Sequence, residues 1–90
     1  MDEARLEIAK VTFPDAATSL DTWRMNVKLA SWKHLMDVRQ TYRTADYAPQ
    51  RGWTFFNIKG NHYRLATVIN YRDQIVAIVD LYTHDQYDKL

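Results

Sequence analysis

Apolar side chains recur at helical period through the first half of the chain and at strand period through the second. Ala16, Leu20, Trp23, Val27 and Ala30 fall at i, i+4, i+7, i+11 and i+14, a single stripe along one side of a helix. Asp15 precedes that stripe and is expected to cap the helix. Upstream, residues 4–11 form a shorter helix with Leu6, Ile8 and Ala9 apolar. It stops near Phe13-Pro14, because proline disfavours helical geometry in the residue before it. Downstream, Leu35, Val38 and Tyr42 repeat the spacing in a third helix, and residues 44–52 read as a polar connection containing Pro49 and Gly52.

From Trp53 onward the chain is rich in aromatic and β-branched residues, which predicts strands over residues 53–58, 62–71 and 75–81. Gly60-Asn61 and Arg72-Asp73 are candidate two-residue hairpin loops, so the sheet is expected to be antiparallel. With Gly60-Asn61 as the loop, Lys59 faces His62, Asn57 faces Arg64 and Phe55 faces Ala66. Period-two alternation then gathers Asn57, Lys59, His62 and Arg64 on one face. Phe56, Ile58, Tyr63, Leu65, Ile69 and Tyr71 share the other, ready to pack under the Trp23 stripe. Helices followed by strands indicate an α+β class, with N-terminal helices packed on one face of a small antiparallel β-sheet.

Ninety residues suit one domain, residues 1–90, with one core. The absence of cysteine excludes a disulfide framework and a cysteine zinc site, and fits a reducing compartment. No apolar run approaches the roughly 20 residues of a membrane span. The start Met1-Asp2-Glu3 lacks the basic-then-apolar pattern of a signal peptide, so the cytoplasm is the expected location. Twelve Lys plus Arg against eleven Asp plus Glu leave a net charge of only +1, so any nucleic-acid site must be a local cluster.

The polar strand face is such a cluster. Lys59 and Arg64 offer charge-assisted donors for phosphate oxygens, while Asn57, Asn61 and His62 could orient RNA through its hydroxyls and bases. The simpler reading makes Lys59, Asn61 and His62 solvated residues of a hairpin tip, and gives Arg64 a structural partner such as Asp80 or Asp85. Thr83 and Gln86 have the spacing of a capping box that opens a final helical turn. That turn would set His84 and Tyr87 on one side, with His84 contributing the side-chain type that titrates nearest neutrality.

The stretch from Phe56 through Asn57-Ile58-Lys59-Gly60-Asn61-His62-Tyr63-Arg64 to Leu65, then Ile69-Asn70-Tyr71 and the closing Thr83-His84 with Tyr87-Asp88, resembles the HigB branch of RelE-like toxins. Pro14-Asp15-Ala16, Trp23 and Trp32-Lys33 extend the resemblance over nearly the whole chain. It implies a RelE-like fold and a type II toxin-antitoxin toxin. The implied activity is endoribonucleolytic cleavage of mRNA on the ribosome, held in check by a helix-turn-helix, HigA-like antitoxin. It also implies cleavage by the substrate's own ribose 2′-oxygen, without metal or cofactor. Lys59 and Arg64 would then be the phosphate-binding cations, and His84 or Tyr87 the general acid or base. Relatives usually open with a short strand before the first helix; here residues 6–11 already align with that helix, so the strand is either missing or supplied by residues 1–5. Many also carry a basic residue near Val79, where this chain has Val79-Asp80.

That departure is the ground for the alternative, a catalytically weak or inactive module that binds RNA or antitoxin without cutting. A further alternative is an interaction protein that buries a partner against exposed Trp32 and Trp53. Metal hydrolysis is disfavoured, because His34, His62 and His84 lie far apart in sequence and lack ligand spacing.

Overall fold

The computed structural model describes residues 3–90. Helix α1 (Glu3–Thr12) ends ahead of Pro14, as the proline demands, and a single 3-10 turn (Pro14–Ala16) leads into α2 (Ala17–Leu29). After α3 (Leu35–Thr41), four strands follow in a meander: β1 (Asp46–Ala48), β2 (Trp53–Ile58), β3 (Tyr63–Asn70) and β4 (Ile75–Thr83). A short helix, α4 (His84–Asp88), closes the described chain. Every neighbouring strand pair is antiparallel, in the order β1-β2-β3-β4.

The expected register holds through the first long hairpin: Asn57 lies opposite Arg64 and Phe55 opposite Ala66. Both long hairpins close through four residues, 59–62 and 71–74, instead of two, which leaves the pairing frame unchanged. A bulge near Ala66/Thr67 then leaves Val79 as the extra residue on β4.

The structure departs from the expected connection after α3 and decides between the two readings of the N-terminus. The segment after α3 is not wholly irregular, because Asp46–Ala48 pairs with β2 and forms an edge strand too short to show a period. Residues 3–5 of the N-terminal strand candidate are helical, and Met1 and Asp2 lie outside the described residues.

The three N-terminal helices cover one face of the sheet. Ala16, Leu20 and Trp23 are buried, and Val27 and Ala30 pack against them, so the helical stripe meets Phe56, Ile58, Tyr63 and Leu65 from the strands. Phe56 is the hub. Trp23 and Tyr42 approach it edge-on at 5.4 and 5.3 Å, and Trp32 stacks on it at 6.0 Å. Trp32 is therefore a core residue and not an exposed docking ring: it is 5% exposed, and its indole N–H donates to Thr41. Trp53 is half-buried, with the Arg51 guanidinium 5.0 Å from its ring. In α1, Leu6 and Ala9 reach the core, whereas Ile8 and Val11 face outward.

Asp15 does not cap α2; no side-chain cap bond forms there. Its carboxylate instead accepts from the Tyr63 hydroxyl at 2.7 Å and from the Lys59 ammonium at 3.0 Å, tying the 3-10 turn to the base of the β2–β3 hairpin. These two bonds, Tyr63 first, hold the Asp15 carboxyl below the usual carboxylate range.

Two outcomes test this packing. Phe56→Ala should cost about 3–5 kcal/mol in denaturant unfolding. Phe56 is a cleaner probe than Trp23, whose buried indole N–H has no hydrogen-bond partner among the described residues. For Asp15, a depressed pKa means that the clamp stabilises fully above the ordinary value of 3.8 and is lost as pH falls through the lower folded value. Thermal melts from about pH 7 to about pH 2 should thus show a smaller acid-side loss for Asp15→Asn than for wild type. Parallel curves would show that the clamp contributes nothing.

Candidate functional site

The sheet face turned away from α1–α3 carries the polar residues, and α4 reaches over it. At the β4–α4 junction both bonds of a capping box form: the Thr83 hydroxyl accepts from the Gln86 N–H, and the Gln86 side chain accepts from the Thr83 N–H. This fixes the direction of a helix only five residues long and lays Tyr87 on Phe55, ring centroids 5.0 Å apart. Phe55 is 4% exposed although it points away from the main core, because Tyr87 covers it.

Around Tyr87 the surface opens into a cleft of about 420 Å³ lined by Arg39, Arg43, Asp46, Asn57, Arg64 and Tyr87, among others. Three guanidiniums thus face one carboxylate. Arg39 comes from α3, and its Nε donates to the Ala45 carbonyl at 3.1 Å, which holds it at the sheet edge. Arg64 sits with its guanidinium 5.2 Å from the Tyr87 ring. Neither Asp80 nor Asp85 pairs with it among the described residues. Its Nη2 donates to Asn61 Oδ1 at 2.6 Å, and its Nη1 to the carbonyls of Asn61 and Tyr63, each at 3.2 Å. Asn61 therefore positions Arg64, and among the described residues no carboxylate forms an ion pair with the guanidinium.

Tyr87 Oη donates to Asp46 Oδ2 at 3.3 Å. Burial raises its pKa first, the Asp46 carboxylate raises it further by charge and hydrogen bond, and Arg64 opposes them. The phenol therefore keeps its proton at neutral pH and directs it at Asp46.

The six side chains singled out around the hairpin and His84 do not form one site. Asn57 and Arg64 share the cleft with Tyr87. Lys59 does not join them. It has a positive φ of 52°, a left-handed conformation that ends the strand alternation, and its ammonium turns to Asp15 on the helix side. His84 is also apart: with Lys59, Asn61 and His62 it lines a shallow depression at the hairpin tip. Its N–H donates to the His62 carbonyl at 3.0 Å, and its Nδ1 lies 3.1 Å from Asp88 Oδ2. Metal-ligand spacing was sought among the three histidines. The structure groups His84 with Asp85 and Asp88, donor atoms within 4.8 Å of one another, and exposed acidic groups of this kind do not by themselves make a metal site.

Arg39, Arg43 and Asp46 are charged cleft residues that the sequence did not point to. Arg39 lies in the last turn of α3, Arg43 in the turn that follows it and Asp46 at the start of β1, so only the path from α3 into β1 brings them beside Arg64.

A four-strand antiparallel meander with helices on one face and a cationic cleft on the other is consistent with a RelE-like α+β toxin fold. Residues 16–90 match the family described as HigB toxin, the RelE-like toxic component of a toxin-antitoxin system. The chain belongs to the HigB toxin family, and membership implies an antitoxin partner. The match starts at Ala16 and leaves α1 outside it. No curated protein matches the chain significantly. Among the described residues no helix is long and apolar enough to cross a membrane.

The protonated state of Tyr87 is directly measurable. The ultraviolet titration of wild type minus that of Tyr87→Phe should give a phenol midpoint above the ordinary 10.0. A midpoint at or below that value would show that burial and Asp46 do not hold the phenol up.

Proposed function

We propose that this toxin is an endoribonuclease that cuts messenger RNA on the ribosome by in-line attack of a ribose 2′-oxygen on the adjacent phosphate. The supporting observation is the convergence of Arg39, Arg43 and Arg64 with the protonated Tyr87 on one cleft. A phosphate there would meet charge-assisted donors from two directions, and the negative charge that builds on the phosphorane oxygens would be stabilised in place. Asp46 takes the proton of the 2′-hydroxyl as the new P–O bond forms. Tyr87 gives its proton to the departing 5′-oxygen as the old P–O bond breaks. The products are a 2′,3′-cyclic phosphate and a 5′-hydroxyl, with atoms and charge conserved. Nothing in the sequence of steps calls for a metal ion or a protein nucleophile.

Asn57 orients the RNA, and Asn61 acts through Arg64. Lys59 and His84 stand outside the cleft in this reading. A helix-turn-helix antitoxin of the HigA kind is the partner that silences the toxin, and the cytoplasm, where both messenger and ribosome are found, is its place of action.

Primer extension on a translated message after induced expression tests the proposal. Wild type should create discrete new 5′ ends within codons. Arg64→Ala and Tyr87→Phe should each lower cleavage on the order of 10²-fold or more, while Lys59→Ala and His84→Ala should lower it far less. Near-normal cutting by both cleft variants would refute the assignment. Growth arrest or RNA binding without new ends would reduce the chain to a binding module.

A further inference from the structure

Beside the arginine cleft lies a second depression of about 520 Å³, and the two share Phe55 and Tyr87 as a common wall. Its remaining lining comes from Ala48, Gln50, Arg51, Asp88 and Leu90. We infer that this depression is a nucleobase subsite for single-stranded RNA, holding the base next to the phosphate bound by Arg39, Arg43 and Arg64; the inference rests on the nuclease reading of that cleft.

The chemistry of the lining separates a base from a second phosphate. Asp88 lines the depression with its Oδ2 3.1 Å from His84 Nδ1; a carboxylate there disfavours phosphate oxygens, and its second oxygen can accept from the N–H groups of a base edge. Gln50 adds an amide that both donates and accepts. Bases dock on aromatic rings and on guanidinium planes, and both are present. Tyr87 presents its ring, already seated edge-on against Phe55. Arg51 holds its guanidinium 5.0 Å from the Trp53 ring, so its plane is steadied before any ligand arrives. Ala48 provides the small side chain that keeps the depression open, and its place opposite Trp53 in the β1–β2 pairing fixes it there.

Direction follows from the same geometry. On the hairpin side the Arg64 guanidinium is held on Asn61, whereas toward the β1–β2 turn the cleft shares Phe55 and Tyr87 with the depression. A strand whose phosphate lies among the three arginines therefore has an open path for its neighbouring base toward Arg51. The subsite would give the toxin its sensitivity to the base beside the cut, separately from the charge that holds the backbone.

The test uses a short 2′-O-methylated RNA oligonucleotide, which cannot be cut by 2′-oxygen attack, and a matching set with one abasic nucleotide at each position in turn. Binding is read by fluorescence anisotropy. Wild type should lose roughly tenfold in affinity at one abasic position and little at the others. Arg51→Ala, in an exposed turn, and Ala48→Leu, which fills the depression, should each weaken the intact oligonucleotide by a similar factor yet bind that abasic version like wild type. Circular dichroism confirms that both variants fold. A flat abasic scan, equal losses on every oligonucleotide, no binding, or competition by base-free polyphosphate as strong as by RNA would overturn the subsite. If Arg64→Ala binds as tightly as wild type, or wild type leaves no new ends in a translated message, the cleft reading fails instead.

Discussion

Two adjacent phenylalanines on β2 face opposite sides of the sheet, and the architecture on each side is built on one of them. Phe56 enters the layer beneath the helices, where Trp23, Trp32 and Tyr42 surround it at ring separations between 5.3 and 6.0 Å. Phe55 points the other way and serves as the seat for Tyr87 at 5.0 Å. Because side chains in a strand must alternate, the packing that locks the helices to the sheet also fixes the height and direction of the tyrosine on the far face. A slip of one residue in β2 would exchange the two rings and dismantle core and cleft together.

The hairpin between β2 and β3 shows how one backbone angle redistributes charge. Lys59 adopts a left-handed conformation that costs an L-residue roughly 1–2 kcal/mol. Its ammonium then reaches Asp15, which also receives the Tyr63 hydroxyl. The clamp joins the helical layer to the hairpin, and its cation is thereby lost to the opposite face. Arg64, on the regular part of β3, keeps its expected direction and is steadied by Asn61.

A chain whose charges nearly cancel still presents a strongly cationic patch, since Arg39, Arg43 and Arg64 meet where Asp46 is the single acidic lining residue. Elsewhere several acids and bases meet in local pairs: Lys10 with Glu7 and Asp21, Arg24 with Glu3, Lys59 with Asp15. Those surface pairs contribute little to stability. The cleft differs from those pairs in composition, with three arginines lining it against one carboxylate. Tyr87 links that field to proton chemistry, its phenol kept neutral by burial and by Asp46.

The order of letters determined what repeats at a fixed period or closes locally. The stripe from Ala16 to Ala30, the inward set of Phe56, Ile58, Tyr63 and Leu65, the pairing of Asn57 with Arg64 and the Thr83–Gln86 box all follow from helical period, strand alternation and turn chemistry within a few residues. The motif around the first hairpin was enough to name the family. Tertiary structure decided which distant groups meet. The three-residue edge strand at Asp46 exists because β2 offers it a partner, Trp32 is buried because Phe56 waits across the core, and Arg39 and Arg43 reach Arg64 only through the turn after α3. Sequence periodicity carries the face on which a side chain lies. It carries neither the sign of a turn dihedral such as that of Lys59 nor the packing angle between two elements, and those two quantities sorted the cations into a clamp and a cleft.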